Sequence, residues 1–166
     1  EIDMSIVNKL RRVAAAMVAT GMLAAGPVSA HLITSAVVPG NFVFAGAVTL
    51  PGATTAAFAL AAGERFVVTF SAECAVNAPG GNFTANTDVE IVVLPVMVTL
   101  TPTAGNADIF CSANGTAGFD GHARNSITVV GGGLPAGAYQ VQVRARTNGP
   151  FGTQAWYGDR SLVVSR

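Results

Sequence analysis

Charge is what this sequence has least of. Only 11% of its residues are Asp, Glu, Lys or Arg, against roughly 25% in an ordinary soluble domain. Nine basic residues balance nine acidic ones, so the chain lacks the positive field that nucleic-acid binding requires. Lysine is nearly absent, and Lys9 is its one occurrence. Long helical hydrophobic periodicity is missing too, as is the glycine pattern of a phosphate loop, a Rossmann turn or a Gly-x-Ser-x-Gly elbow. A chain that is 51% hydrophobic is not a disordered one, since disorder goes with low hydropathy and high charge.

What is present begins with a leader. Glu1 to Asp3 read as an upstream remnant before Met4. Lys9, Arg11 and Arg12 precede an apolar run from Val13 to Gly26, closed by Pro27 and the small residues Val28, Ser29 and Ala30. A basic start, a short apolar core and a small-residue end are the parts of a secretory signal peptide. The run falls short of the ~20 apolar residues of a membrane span. Residues 1–30 are therefore expected to be a signal peptide and 31–166 a single exported domain, secreted, periplasmic or at the cell surface, with no membrane span of its own.

Two cysteines, Cys74 and Cys111, are an even number in an exported chain. They are expected to form a disulfide, because oxidising compartments let paired thiols persist.

From residue 41 the chain reads as short β-rich runs separated by turn residues. The expected strands are 41–50, 54–60, 64–72, 88–94, 97–101, 107–111, 126–130, 138–146 and 161–165. Phe66, Val68 and Phe70 alternate with Val67, Thr69 and Ser71, and Tyr139, Val141 and Val143 alternate with Gln140, Gln142 and Arg144. Period-two patterning marks half-buried antiparallel strands. Pro51-Gly52, Pro79-Gly80-Gly81, Asn114-Gly115, Asp120-Gly121, Gly131 to Gly133 and Asn148-Gly149-Pro150 are expected turns, with Pro95 at a hairpin turn or an edge. The fold class that follows is all-β, an antiparallel β-sandwich of jelly-roll or Ig-like strand order.

The segments Arg65–Ser71, Asp88–Val93, Leu134–Val143 and Asp159–Val164 carry a resemblance over about residues 65–166. In them the chain is similar to secreted bacterial jelly-roll domains of the C1q/TNF-like kind. The resemblance implies a sandwich that displays, binds or assembles, and it implies no catalytic residues.

The sharpest constellation for chemistry is copper. Cleavage after Ala30 leaves His31 as an N-terminal residue whose amine and imidazole chelate one ion, similar to the histidine brace of copper oxygenases and small periplasmic copper carriers. Copper(II) favours such nitrogens. His122, the other histidine, lies two residues after Asp120, and in an extended segment residues two apart share a side. His31, Asp120 and His122 are thus the candidate metal ligands. Asp88 and Glu90 share a strand face, which reads as a solvated surface, because carboxylates that cleave a glycoside must flank the sugar. Asn82 and Asn86 offer oxygens for calcium, although Asn is also an ordinary loop residue. Trp156, Tyr157 and Phe151 offer rings for stacking a carbohydrate ligand, although such rings are more often core or rim.

The sequence reading as a whole is a non-enzymatic secreted module, without a cofactor, that is structural, self-assembling or ligand-binding. A homo-oligomer is expected because charge is what normally blunts strand edges. A copper(II)-binding protein is the competing reading.

Overall fold

The structure is a computed structural model that describes residues 30–81, 84–100, 109–113, 115, 118–119 and 122–166. The expected signal peptide lies outside these apart from Ala30. Residues 31–166 form one compact unit.

The described residues of that unit form eleven strands: β1 (Leu32–Val38), β2 (Phe42–Phe44), β3 (Ala47–Thr54), β4 (Phe58–Leu60), β5 (Phe66–Asn77), β6 (Asn86–Leu94), β7 (Val98–Leu100), β8 (Ile109–Ser112), β9 (Ala123–Gly131), β10 (Gly137–Asn148) and β11 (Gln154–Ser165). The first sheet runs β1-β11-β5-β9, with β2 also on β11; the second runs β3-β10-β6-β7, with β4 on β10 and β8 on β6. All pairs are antiparallel.

The pairing is nested. The first strand meets the last, β3 and β4 meet β10, β5 meets β9, and β6 meets β7 and β8. A chain doubled on itself and then wrapped across two sheets is a jelly roll, and this order settles the choice that the sequence left open.

Alternation dictates which side chains enter the core. Phe66, Val68, Phe70, Ala72 and Cys74 of β5 are buried, as are Tyr139, Val141, Val143 and Ala145 of β10. Between the sheets Tyr157 stacks on Phe110 with centroids 5.6 Å apart and meets Phe44 at the same distance. Cys74 of β5 is bonded to Cys111 of β8 with Cα atoms 6.3 Å apart, so a covalent tie joins the two sheets within the apolar core.

Several expected boundaries move. The run 41–50 is not one strand: it breaks at Ala45-Gly46 into β2 and β3, which join different sheets. Pro51-Gly52 is not a turn between strands but part of β3. The register steps from Arg144↔Thr49 to Gln142↔Thr54, so the extra residues bulge, and Gly52 supplies the positive φ of 71°. Gly52 also has no room for a side chain, since a Cβ there would lie 2.4 Å from Val38 Cγ2. β1 was absent from the expected strands because an edge strand reading Leu-Ile-Thr-Ser-Ala-Val-Val has no clean polar alternation. β11 extends back to Gln154, well before the expected start at Ser161, across a bulge between Tyr157 and Arg160. The turns at Pro79–Gly81, at Pro95–Met97 and at Gly149–Gly152 fall where the turn residues place them, and the Leu94-Pro95 bond is cis. Asn114, Asp120 and Gly121, from two further expected turns, lie outside the described residues, and in the remaining expected turn Gly131 closes β9 and Gly133 follows with φ 72°.

Candidate functional site

The register fixes where the candidate metal ligands lie. His31 extends the β1–β11 ladder: its N–H donates to the Arg166 carbonyl at 2.7 Å, and its own carbonyl accepts from Arg166 N–H at 3.0 Å. Ser165 is opposite Val67, so His31 is level with the start of β5. His122 precedes Ala123, which is opposite Cys74 near the far end of β5. At ~3.3 Å per residue the two histidines are separated by on the order of 30 Å along the strands. The chain therefore does not bring His31 and His122 to one ion, and the backbone nitrogen of His31 is committed to the sheet. Asp120 lies outside the described residues. Among the described residues, no group of three or more His, Cys, Asp or Glu side chains is gathered for a metal.

The aromatic trio also separates. Tyr157 is fully buried and belongs to the core, which removes it from any sugar-stacking surface. Phe151 stands out from the β10–β11 turn, wholly exposed. Trp156 faces the opposite way from Tyr157, as neighbours on a strand must. It lies on the solvent side of the first sheet, half-buried, with the ring of His122 edge-on to it at 4.5 Å and 78°. Trp156 is opposite both Ala75 of β5 and Val43 of β2. Its ring covers Gly158, where a Cβ would come within 2.6 Å of Trp156 Cη2.

Beside that ring begins a ladder of polar pairs. Arg124 of β9 donates to Glu73 of β5 at 2.8 Å. The next rungs are Ser71 with Ser126 at 2.9 Å and Thr69 with Thr128 at 3.1 Å. Cross-strand pairs of this kind stabilise a sheet by roughly 0.2–1 kcal/mol each. Beyond the Arg124–Glu73 ion pair, whose charges cancel, the rungs are short hydroxyl side chains.

On the other sheet, Asp88 and Glu90 are cross-strand partners of β10. Asp88 accepts from Arg146 at 3.1 Å and from the Asn148 carboxamide, and Glu90 accepts from Thr99 at 2.9 Å. Both carboxylates stand on the same face of one strand, as a solvated surface requires. Asn86 accepts from Asn148 at 3.0 Å, while Asn82 lies outside the described residues.

One charged side chain escaped the sequence reading. Arg160 is 4% exposed, and its Nη1 donates to the carbonyls of Tyr157 at 2.9 Å and Gly40 at 3.4 Å. Burial lowers its pKa from the ordinary arginine value, and the neighbouring Asp159 carboxylate opposes that shift. Asp159 in turn accepts from Gly40 N–H at 3.1 Å. The pair secures the turn between β1 and β2 against the β11 bulge, a structural role. Its signal in the sequence is weak, because an arginine on an inward strand position declares itself only once the carbonyls that accept from it are known.

No family model and no curated protein matches this sequence. The fold is similar to that of the VP2 subviral particle of infectious bursal disease virus, with a TM-score of 0.51 at 14% identity over 83% of this chain and 33% of that one. The chain thus spans about a third of the length of the viral protein it matches. It is also similar to the xylan-binding module CBM15, with a TM-score of 0.38 at 12% identity over 81% of this chain and 95% of the module. The Eiger TNF from S. frugiperda gives 0.35 at 10% identity over 80% of this chain and 92% of that one. The likeness to VP2 shows the shared fold and nothing further.

Proposed function

We propose that this chain is a non-enzymatic extracellular jelly-roll module that assembles edge to edge with copies of itself. The observation that carries the reading is the contrast between the edges of its two sheets. Proteins blunt a sheet edge with charge, proline, bulges or short strands, because an open edge is a template for pairing. The second sheet is blunted at one edge, where β3 carries Pro51 and its bulge, and at the other its described strands β7 and β8 cover three and four residues. In the first sheet β1 has no charge and no proline and is irregular only at its start, between Leu32 and Thr34, and β9 has Arg124 as its only charge. Among the described residues, no strand lies outside either of them.

The path β1-β11-β5-β9 has an even number of strands, all antiparallel, so its two edges run in opposite directions. A second copy translated in the plane of the sheet sets its β9 antiparallel to β1 of the first. That contact is head-to-tail and repeats without closing. The bonded cysteines support an oxidising, extracellular setting.

Light scattering on the full chain tests the reading. The mass should grow with concentration, and Val37→Lys on β1 or Val130→Lys on β9, both at exposed positions, should each leave a monomer. A mixture of the two variants should give dimers, because one intact β1 and one intact β9 remain. A wild-type chain that stays monomeric at high concentration overturns the proposal.

A further inference from the structure

We infer that the solvent face of the first sheet, centred on Trp156, is a binding platform for a neutral β-linked polysaccharide chain. The inference does not rest on the edge-to-edge reading, since the platform faces out of the sheet plane while the edges lie within it.

The argument begins with the ring. An indole spread over the sheet costs exposure of a large apolar plane, which an isolated domain normally avoids by turning the ring inward. Here Gly158, whose missing side chain makes the room, lies against Cη2 and Cζ2 of the ring, and the His122 ring is set nearly perpendicular to it. Trp156 stays half-buried, so part of the indole still meets solvent. Contact with a glycine explains why the ring is placed here. It does not explain the polar groups converging beside it.

Those groups are the second observation. The Gly158 Cβ position is 3.2 Å from Glu73 Oε2, so this carboxylate oxygen borders the indole, while Oε1 takes the Arg124 guanidinium. His122, Arg124 and Glu73 thus present ring nitrogens, a planar donor fork and a carboxylate around one aromatic plane. An apolar surface with a few convergent polar groups is the composition of a small-molecule site. A pyranose matches it. The axial C–H groups of an all-equatorial sugar form an apolar face for the indole, and its rim of hydroxyls both donates to a carboxylate and accepts from a guanidinium.

The charge on the platform selects the ligand class further. Glu73 and Arg124 cancel, and the rungs beyond them are Ser71 with Ser126 and Thr69 with Thr128. Among the described residues, the cation of this ladder is Arg124, and Glu73 compensates it, so the ladder does not favour a phosphate or uronate. The hydroxyl ladder runs on from the ring along the strands, and a straight β-linked chain can follow it where a coiled α-linked chain cannot. Adjoining copies would align such platforms in one plane, and linked sites gain avidity without new contacts.

Trp156 is the only tryptophan in the chain, so its fluorescence reports on this site alone. The full chain is titrated with cellohexaose and xylohexaose, with maltohexaose as the α-linked comparison. A saturable change with a β-linked oligosaccharide and none with maltohexaose is expected. Glu73→Gln should weaken it by about tenfold, the loss of a hydrogen bond to a charged group. Native gels containing hydroxyethylcellulose or xylan extend the test to variants without the fluorophore: Trp156→Ala should abolish retardation, and Trp156→Tyr, which keeps a ring, should retain part of it. If Trp156→Ala loses its circular-dichroism signature, Trp156→Tyr and Glu73→Gln decide the matter. A flat titration with both β-linked hexaoses, or retardation unchanged in folded Trp156→Ala, overturns the inference.

Discussion

The hydroxyls of Tyr157 and Thr87 lie 3.1 Å apart, both side chains fully buried, and they come from opposite sheets. Tyr157 descends from β11 and Thr87 from β6. Theirs is a polar link across the core between the sheets, and it sits beside the stacked rings of Tyr157 and Phe110. Removing one partner strands the other without water. Tyr157→Phe is expected to cost about 1–3 kcal/mol, and pairing it with Thr87→Val should cost less than the two changes summed. Urea denaturation of the four proteins of the cycle checks this.

The same phenol makes stability depend on alkaline pH. Desolvation raises the Tyr157 pKa far above the ordinary 10.0, although the Thr87 hydrogen bond lowers it. The folded state thus holds the proton more tightly than the unfolded chain does. Its contribution is complete below about 10, the ordinary pKa of an unfolded tyrosine, and is lost as pH rises from there toward the folded value. Wild type should therefore lose stability more steeply above that pH than Tyr157→Phe. Parallel curves for the two proteins through the alkaline range would contradict the assignment.

At the acid end the reporter is Glu64. Its pKa is lowered from 4.5, first by the Ala61 backbone N–H and then by the Arg166 side chain, with the Ala61 bond at 2.7 Å. A lowered pKa stabilises above the unfolded value and is lost as pH falls through the folded one. Glu64→Gln should be less stable than wild type at neutral pH, and the difference should shrink below about pH 4.5, the ordinary value. Thermal melts across the acid range measure it.

How much of this was legible in the sequence follows from what each feature depends on. The alternation of β5 and β10 is local and survives in the sequence because each strand has one wet face. The cysteine pairing follows from parity and compartment. Trp156 and Tyr157 are adjacent, and period two alone separates them, one outward and one inward. The grouping of the two with Phe151 overlooked that rule. Other features depend on partners distant in the chain. Pro51-Gly52 has the composition of a turn, and only the register against β10 shows that it is a bulge. The distance between His31 and His122 is set by three successive strand pairings, β1 with β11, β11 with β5 and β5 with β9, which no motif spacing reveals. The Glu73–Arg124 rung beside Trp156 likewise exists only through the β5–β9 register. Arg160 was hidden for a third reason: it shares its inward face with Leu162 and Val164, and an arginine there is tolerated only through the Tyr157 and Gly40 carbonyls that accept from it.

The bond between Cys74 and Cys111 closes a loop with a sequence separation of 37. In the chain-entropy account a loop of that size stabilises the fold by about 4 kcal/mol, a large share of the ~5–15 kcal/mol typical of a domain. Replacing both residues with Ala also removes apolar volume where both sulfurs lie in the core. Guanidinium unfolding with and without reductant should show a large drop in midpoint for wild type, and reductant should leave the double variant unaffected.

A final expectation concerns one contact in the core. A Cβ on Gly131 would lie 2.2 Å from Phe66 Cζ, and Phe66 is buried with its ring 6.0 Å from that of Phe58. Gly131 is opposite Phe66 in the β5–β9 ladder, so the ring lies across the space its partner leaves empty. Gly131→Ala must displace that ring, and overpacking of this kind costs roughly 1–3 kcal/mol. Shortening the partner relieves it: Phe66→Leu with Gly131→Ala should be less destabilised than the two single changes summed. Additive losses in thermal denaturation would show that the strand backbone, and not the Phe66 ring, resists the new methyl group.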